Sequence, residues 1–283
     1  MCIMSREHNI KNQQSHLKQL KHLILDLDGT IYKGETLFPF VHEFFDIIQN
    51  LGIGYTFITN NSAFSVRQYL QKLNTLGLPA TVDTIYTSAL MTIDYLQSRM
   101  KGIKRLFIVG TDGLKSEFRD EGFEIVTSPE TQCPDAVVVG FDPNLDFTAL
   151  CKAGYWIQRD VPFIATNPDR ICPTDQKTLL IDCGSLCAAL ETATGKSPDA
   201  VLGKPDPRMI QGVINRKHLE NGDVAVIGDR LYTDMEMAKR ADVLSVLVLT
   251  GETQPDDISD CSVQPDIVVD NVLEFAKILQ KYR

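Results

Sequence analysis

The chain has 283 residues, about twice the length of a typical domain, so we expect two domains or one domain carrying a large insertion. Lys and Arg number 28 against 37 Asp and Glu, and the resulting net charge of −9 offers no overall attraction for nucleic acid or an anionic membrane. Hydrophobic residues make up 43% and charged residues 23%, which is typical of globular proteins and excludes a disordered chain.

The cysteines and the apolar segments indicate the compartment. Seven cysteines are scattered along the chain, an odd number that does not suit a disulfide framework and favours a reducing cytoplasm. Cys183 and Cys187 are four residues apart on a predicted helix, but no histidine is nearby, so we expect buried thiols and not a zinc site. The longest apolar runs are far shorter than the roughly 20 residues that span a bilayer. Residues 1–20 contain no apolar core of a signal peptide, and we expect a polar leader there.

From residue 22 onward, short apolar segments bounded by Gly, Pro, Asn or Asp alternate with amphipathic segments. This alternation predicts an α/β fold with a mostly parallel sheet. The predicted strands are 23–27, 55–59, 105–109, 136–139, 162–166, 224–227 and 244–249. The predicted helices are 41–51, 65–76, 88–100, 147–159, 184–193, 207–216, 233–241 and 271–280.

Three of the predicted strands run directly into polar segments. These segments are residues 26–30, 59–62 and 228–234. In open parallel sheets, ligands bind just beyond the carboxyl ends of the strands, where several loops can converge. We therefore expect the three segments to contribute to one site.

The first polar segment contains two carboxylates, Asp26 and Asp28, which are two residues apart and would point to the same face of a strand. Their repulsion can be relieved by a divalent cation, by a basic partner or by protonation of one member. Asp229 offers a third carboxylate at another strand end. A few carboxylates with carbonyl and water ligands are what magnesium accepts beside a phosphate.

Basic and neutral polar residues complete a set that suits phosphoryl transfer. Lys204 supplies a compact positive charge, and Thr59 and Asn60 supply hydroxyl and amide donors for phosphoryl oxygens. Each residue also has an ordinary explanation. Asp229 and Asp234 could form a turn and a helix cap, Thr59 and Asn60 a loop, and Lys204 a solvated surface charge. Their joint occurrence beside predicted strands favours the functional interpretation.

Four segments, taken in chain order, resemble the four motifs of the haloacid dehalogenase (HAD) superfamily, and specifically its NagD-like, p-nitrophenylphosphatase-like branch. They are residues 26–30 (DLDGT), 59–62 (TNNS), 203–205 (GKP) and 228–234 (GDRLYTD). The resemblance extends over about residues 21–255 and includes the spacing of the motifs.

The resemblance implies a Rossmann-like core with a parallel sheet, interrupted by a large α/β cap. About 140 residues separate the second and third motifs, too many for a single crossover. We expect the cap at residues 111–195, after the third core strand, and the core at residues 21–110 and 196–283.

The resemblance also implies how the first motif acts. Asp26 would attack the substrate phosphorus and form an aspartyl-phosphate. Asp28 would protonate the departing alkoxide and then accept a proton from the hydrolytic water, for which its pKa would have to be raised by desolvation and a neighbouring carboxylate. Dehalogenases of the superfamily lack this second aspartate, because halide leaves without a proton. Asp28 therefore indicates a phosphatase.

A metal and a phosphate site follow from the same resemblance. Mg²⁺ would be held by the Asp26 carboxylate, the Asp28 backbone carbonyl and Asp229, with Asp234 in support. The expected phosphate-binding residues are Thr59, Asn60 and Lys204, of which the last would also neutralise Asp26.

Two segments of the cap resemble the core-facing specificity loops of the family, although a solvent-exposed turn explains the first equally well. Their candidate specificity residues are Asn167, Asp169, Arg170, Asp182, Gly184 and Ser185. Sugar phosphates, nucleoside monophosphates, phosphoglycolate and pyridoxal phosphate all remain open as substrates. Large caps of this branch also form homodimer contacts, which makes the cap the expected dimer surface.

Two functional hypotheses remain. The first is a Mg²⁺-dependent phosphatase of small phosphorylated metabolites in the cytoplasm. The alternative is a noncatalytic phospho-ligand-binding or regulatory protein on the same fold. The complete set of Asp26, Asp28, Lys204 and Asp229 favours the enzyme, because a protein that only binds has no physical need of a proton donor.

Overall fold

The computed structural model describes residues 10–128, 132–172 and 177–283. The described strands are β1 (His22–Asp26), β2 (Tyr32–Lys33), β3 (Thr36–Leu37), β4 (Gly54–Thr59), β5 (Ile85–Thr87), β6 (Arg105–Val109), β7 (Glu124–Ile125), β8 (Ala136–Val139), β9 (Phe163–Ala165), β10 (Ile171–Cys172), β11 (Leu180–Ile181), β12 (Ala200–Val201), β13 (Val224–Gly228), β14 (Leu244–Val248) and β15 (Ile267–Val269). The described α-helices are α1 (Gln14–Gln19), α2 (Val41–Asn50), α3 (Val66–Thr75), α4 (Ser88–Arg99), α5 (Asp112–Asp120), α6 (Phe147–Ile157), α7 (Cys183–Thr194), α8 (Arg208–Lys217), α9 (Glu236–Ala241), α10 (Asp257–Asp260) and α11 (Val272–Tyr282).

The chain forms two compact units. The first comprises residues 1–58, 76–85 and 204–283, and the second comprises residues 59–75 and 86–203. Residues 1–9 of the predicted polar leader at 1–20 lie outside the described residues, and α1 occupies much of the rest.

The larger sheet has six strands in the order β15-β14-β13-β1-β4-β5. Neighbouring strands from β15 to β4 pair in parallel. All five residues of β1, β13 and β14 are buried, as expected for parallel strands covered on both faces, which is why their sequences are almost continuously apolar. Helix α11 packs against α2 and α1 in this unit.

The second unit has its own sheet of five strands in the order β12-β9-β8-β6-β7, all paired in parallel. Its core combines apolar side chains of β6, β8 and β9 with those of α6 and α7, including the only tryptophan, Trp156. A short antiparallel hairpin, β10-β11, accompanies the sheet.

The structure confirms the predicted α/β class, parallel sheets and the position of every predicted helix to within a few residues. The predicted strand Arg105–Val109 pairs in parallel with Ala136–Val139 in the second sheet. The six-stranded sheet contains Ile85–Thr87, a three-residue segment too short to show a pattern. The cap boundaries 111–195 stay a prediction. In the part of the chain that the structure describes, no helix combines the length and apolar character needed to cross a membrane.

Candidate active site

The candidate site begins at the carboxyl ends of two neighbouring strands. Asp26 is the last residue of β1, and Asp229 follows the last residue of β13. Since β1 and β13 pair in parallel, with Leu25 opposite Ile227, their carboxyl ends lie side by side. Asp234 lies in the helical turn Leu231–Met235 that continues from this strand. One carboxylate oxygen from each of the three aspartates lies within 4.8 Å of the other two.

Lys204 lies among these carboxylates. Its ammonium group donates hydrogen bonds to Asp26 Oδ1 and, at 2.8 Å, to Asp234 Oδ1. Lys204 is 5% exposed and Asp234 is fully buried. The other oxygen of Asp234 accepts a hydrogen bond from the backbone N–H of Arg230 at 3.2 Å. The structure therefore brings together four of the predicted site residues from three distant segments of the chain.

The loop that follows β14 contacts and positions the Asp229 carboxylate. Its Oδ2 accepts a hydrogen bond of 2.6 Å from the backbone N–H of Glu252. Glycine is required at two neighbouring positions: a Cβ at Gly29 would lie 2.5 Å from Asp229 Oδ2, and one at Gly251 would overlap the same carboxylate. Gly29 also has a φ of +86°, a backbone conformation that favours glycine. Sequence analysis missed Gly251 and Glu252, although they too follow a predicted strand.

The remaining oxygen of Asp229, Oδ1, is buried and has no hydrogen-bond partner among the described residues. An orphaned carboxylate oxygen is costly in a protein interior unless a cation or a donor meets it. Three carboxylates against one ammonium group leave an excess of two negative charges, which one divalent cation would balance. The donors are all hard oxygens, the type that Mg²⁺ and Ca²⁺ prefer. The residues present therefore fit a divalent metal ion.

Burial without a cation shifts the titration of this cluster. Burial raises the pKa of Asp26 to about 8 against the opposing charge of Lys204, and the charges of Asp234 and Asp229 add to the increase. Burial, followed by the charge of Asp234, raises the pKa of Asp229 to about 6. Burial would lower the pKa of Lys204, but Asp234 and Asp26 outweigh it and raise that pKa above its ordinary value. Asp26 and Asp229 thus hold protons more tightly than usual, whereas Lys204 stays charged.

Asp28 lies in the tight turn just after β1, where its backbone bridges to Tyr32. Asp28 is exposed to solvent, in contrast to the buried Asp26. An exposed carboxyl group at this position is accessible to a leaving group and to water. Its roles as proton donor and as a backbone metal ligand stay predictions.

Thr59 and Asn60 follow the strand next to β1 in the larger sheet. Ile58, the residue before Thr59, is in register with Asp26. Thr59 and Asn60 are both 6% exposed. Thr59 Oγ1 accepts a hydrogen bond from the backbone N–H of Asn61 at 3.1 Å, which keeps the loop turned tightly at the strand end. Their binding of phosphate stays a prediction.

The six predicted specificity residues form a connected substructure of the second unit. Asn167 is fully buried and donates to the Asn60 carbonyl, and Asp169 accepts from the Asn60 amide. Residues 182–185 bond residues 169–170 through three hydrogen bonds. The backbone N–H of Asp182 and Ser185 Oγ donate to the Arg170 carbonyl at 3.0 Å and 2.7 Å. The backbone N–H of Gly184 donates to the Asp169 carbonyl at 2.8 Å. Arg170 is the exposed member. Contact of these residues with substrate stays a prediction.

Two further residues near this substructure were not among the site residues predicted from the sequence. Ser88, fully buried in the first turn of α4, donates from Oγ to the Asn60 carbonyl at 2.8 Å. Gly203 has a φ of +74°, and a Cβ there would lie 2.6 Å from Asn60 Oδ1. A lone serine at a helix start has no distinguishing sequence signal, whereas Gly203 belongs to the third motif.

The cysteine pair on α7 is buried, as predicted. Cys183 Sγ donates to the Val139 carbonyl at 3.0 Å and lies 3.9 Å from Cys187 Sγ. The hydrogen bond with Cys183, followed by burial, raises the pKa of Cys187 well above its ordinary value. A thiol that resists ionisation is a poor metal ligand and a poor nucleophile, so Cys187 serves as a core residue. Cys183 is buried in the same core.

Comparison with known proteins identifies the family. Models of two families match, the haloacid dehalogenase-like hydrolases over residues 23–124 and the HAD-hydrolase-like proteins over residues 201–275. The ribonucleotide monophosphatase NagD of Escherichia coli strain K12 is 31% identical over 256 residues, which cover 90% of this chain and 98% of that protein.

Solved structures agree with this relationship. The 4-nitrophenylphosphatase of Thermotoga maritima superimposes with a TM-score of 0.87 and 37% identity, covering 93% of this chain and 98% of that chain. The glycerol phosphate phosphatase of Mycobacterium tuberculosis in complex with magnesium gives a TM-score of 0.83 and 31% identity, covering 90% of this chain and 77% of that chain. A structure of that protein with calcium is similar as well. The relatives named here are phosphatases, and the chain belongs to the haloacid dehalogenase-like hydrolases, in their NagD-like branch.

Proposed function

We propose that this chain is a Mg²⁺-dependent phosphatase that hydrolyses small phosphorylated metabolites through an aspartyl-phosphate. The observation that carries the proposal is the buried cluster of Asp26, Asp229, Asp234 and Lys204, with one orphaned carboxylate oxygen on Asp229. The relatives named above are phosphatases of a ribonucleotide, of 4-nitrophenyl phosphate and of glycerol phosphate. A sugar phosphate or a nucleoside monophosphate is the class of substrate that we propose for this chain.

The proposed metal ligands are the carboxylates of Asp26 and Asp229 and the backbone carbonyl of Asp28, with Asp234 in support. A bound Mg²⁺ would polarise the phosphoryl group and neutralise part of its negative charge. Asp234 also bonds Lys204, so it anchors the ammonium group beside Asp26. Calcium would meet the same oxygen donors, and the preference for magnesium is part of the proposal.

In the first half-reaction, a carboxylate oxygen of Asp26 attacks the phosphorus in line with the ester oxygen. The new bond joins this oxygen to phosphorus, and the bond from phosphorus to the ester oxygen breaks. Asp28 gives its proton to the departing alkoxide, which leaves as an alcohol. Lys204 favours the ionised form of Asp26 and opposes the effect of burial, because its ammonium charge lies within hydrogen-bond distance of the attacking carboxylate, and a bound Mg²⁺ would favour that form further.

In the second half-reaction, Asp28 is a carboxylate and accepts a proton from the incoming water. The water oxygen attacks the phosphorus, and the bond from phosphorus to the Asp26 oxygen breaks. Inorganic phosphate leaves, and Asp26 and Asp28 return to their starting protonation states. Thr59, Asn60 and Lys204 donate hydrogen bonds to the phosphoryl oxygens in both steps.

The first experiment measures Mg²⁺-dependent release of phosphate from p-nitrophenyl phosphate by the wild type, Asp26→Asn and Asp46→Asn. Asp46 is an exposed carboxylate of α2 and serves as the matched control. We expect Asp26→Asn to lose more than about a thousandfold in kcat while Asp46→Asn is unchanged. A folded wild-type protein that binds inorganic phosphate without any turnover would instead support the noncatalytic alternative.

The second experiment tests the proton donor with two leaving groups. p-Nitrophenolate departs without a proton, whereas a sugar alkoxide needs one. Asp28→Asn should therefore lose far more activity with glucose 6-phosphate than with p-nitrophenyl phosphate. Equal losses with the two substrates would contradict the role of Asp28 as a general acid.

A cytoplasmic location is part of the proposal. The six cysteines that the structure describes are all free thiols, two of them exposed. Exposed thiols persist where the compartment is reducing.

A further inference from the structure

The backbone carbonyl of Asn60 accepts two hydrogen bonds from fully buried side chains. Ser88 Oγ donates to it at 2.8 Å and Asn167 Nδ2 at 3.0 Å. A carbonyl oxygen has two lone pairs, so both are used. The two donors come from α4 and from the loop after β9, and together they define the plane of the peptide group that follows Asn60.

The side chain of Asn60 is held as well. Its Nδ2 donates to Asp169 Oδ2 at 3.1 Å. A carboxylate only accepts hydrogen bonds, so this contact determines which end of the amide is the nitrogen and towards which side it turns. A hydrogen bond to an ionised group is about twice as strong as one between neutral groups.

The residues that hold Asn60 are themselves held in place. Asn167 Oδ1 accepts from the backbone N–H of Asp169 at 3.0 Å, so one amide side chain links Asn60 to the loop that carries Asp169. Gly184 donates to the Asp169 carbonyl at 2.8 Å, and a side chain at Gly184 would overlap the loop backbone. Such a connected and buried network has little freedom to rearrange.

We infer that Asn167, Asp169 and Ser88 are positioning residues for phosphate binding, and that they act by orienting Asn60. This inference rests on the proposed function, in which Asn60 binds the phosphoryl group. It differs from the expectation that Asn167 and Asp169 choose the substrate by contacting its organic part. Asp169 in particular would then affect the binding of every phosphate ligand, because it orients the Asn60 amide that contacts the phosphate group of each ligand.

The two roles predict different responses to inorganic phosphate, which has no organic part. Replacing a specificity residue changes KM for one ester and leaves the binding of inorganic phosphate unchanged. Replacing a positioning residue weakens the binding of inorganic phosphate and of all phosphate esters by the same factor. The Kd of inorganic phosphate is therefore the deciding measurement.

The experiment uses the full chain with Mg²⁺, and it measures the Kd of inorganic phosphate by calorimetry and KM and kcat for p-nitrophenyl phosphate and glucose 6-phosphate. Asp169→Ala removes the acceptor, whereas Asp169→Asn keeps an acceptor oxygen without the charge. Asp142→Ala is the matched control, because Asp142 is also half-buried in this unit and its carboxylate accepts a hydrogen bond from the nearby backbone N–H of Asn144 at 2.9 Å. Thermal unfolding of each variant verifies that it is folded.

We expect Asp169→Ala to raise the phosphate Kd and both KM values by about tenfold, the loss that corresponds to one charge-assisted hydrogen bond. Asp169→Asn should restore these values to within about threefold of the wild type, and Asp142→Ala should match the wild type. An unchanged phosphate Kd in a folded Asp169→Ala variant, or equal losses in Asp169→Ala and Asp169→Asn, would overturn the positioning role.

A second pair of variants keeps the inference testable if Asp169→Ala fails to fold. Ser88→Ala removes one of the two donors to the Asn60 carbonyl, and Ser98→Ala on the same helix removes only a hydroxyl that bonds its own helix. We expect about a threefold rise in the phosphate Kd for Ser88→Ala alone. Equal phosphate binding in the two serine variants would count against the inference.

Failure of the proposed function is a separate result. If the wild-type protein binds phosphate without turnover, the phosphatase proposal is wrong, and the phosphate Kd values of the variants still test the positioning role. A wild-type protein that neither binds phosphate nor turns over overturns both.

Discussion

Replacement of Gly251 by alanine tests whether the shape of the loop behind Asp229 controls the metal site. A Cβ at this position would lie 2.7 Å from Asp229 Cβ and closer still to its carboxylate. Carbon atoms make their best contact at about 3.5–4.0 Å, so Asp229 has to move by roughly 1 Å. The backbone N–H of the neighbouring Glu252 bonds the same carboxylate, which restricts the directions in which Asp229 can move.

A displacement of this size has a large expected effect on activity. Misplacing a catalytic group by about 1 Å can cost about a hundredfold in rate, and disturbing the support of a metal ligand typically costs about 10–100-fold in metal affinity. We therefore expect Gly251→Ala to bind Mg²⁺ about 10–100-fold more weakly and to lose about a hundredfold in kcat/KM. Overpacking should also lower the free energy of unfolding by about 1–3 kcal/mol.

The assay titrates Mg²⁺ by calorimetry and repeats the titration with p-nitrophenyl phosphate turnover as the readout. Gly222→Ala is the matched control, because Gly222 is a glycine of the same unit whose added Cβ would meet only Gln19 Oε1 at 3.9 Å. The control should match the wild type in both titrations. A Gly251→Ala variant with a Mg²⁺ affinity within twofold of the wild type would refute the reasoning.

Three further predictions concern charge and metal. Burial, followed by the charge of Lys217, lowers the pKa of His22 from 6.5 to about 4. Between about pH 6.5 and pH 4 the unfolded chain therefore binds a proton at His22 that the folded chain excludes, so the contribution of His22 to the free energy of unfolding should fall by up to about 3 kcal/mol as the pH decreases through this window and recover fully above it. Chemical denaturation of the wild type and of His22→Gln at a series of pH values should show this loss as a change in the difference between their free energies of unfolding, because the carboxylates of the site titrate in both proteins. Lys204→Met should lower the free energy of unfolding in urea by about 3–5 kcal/mol, because it leaves Asp26 and Asp234 buried without their cation, and an unchanged urea midpoint would contradict this. Chelation with EDTA should abolish turnover and lower Tm, and added Mg²⁺ should restore both, whereas turnover that survives chelation would exclude a metal requirement.

Much of the fold could be predicted because it depends on local patterns. Parallel strands covered on both faces are short apolar runs, and the helices between them carry amphipathic patterns, so neighbouring residues are enough to recognise both. Strands of two or three residues, such as Ile85–Thr87, have no such pattern, because too few positions exist to repeat. The sheet to which a strand belongs is not a local property either: Arg105–Val109 is an apolar run like the strands of the six-stranded sheet, yet it pairs with Ala136–Val139 in the second sheet.

The candidate site divides in the same way. The sequence is enough to predict that Asp26, Lys204 and Asp229 belong to one site, because the strand ends and the order of the motifs can be read along the chain. The contacts that surround these residues follow only from the folded chain. Lys204 bonds a carboxylate 178 residues away, and Asp169 bonds an amide 109 residues away. Contacts over such separations arise from packing of distant segments. No local sequence pattern therefore predicts which backbone N–H will bond a site residue or which glycine will leave room for it.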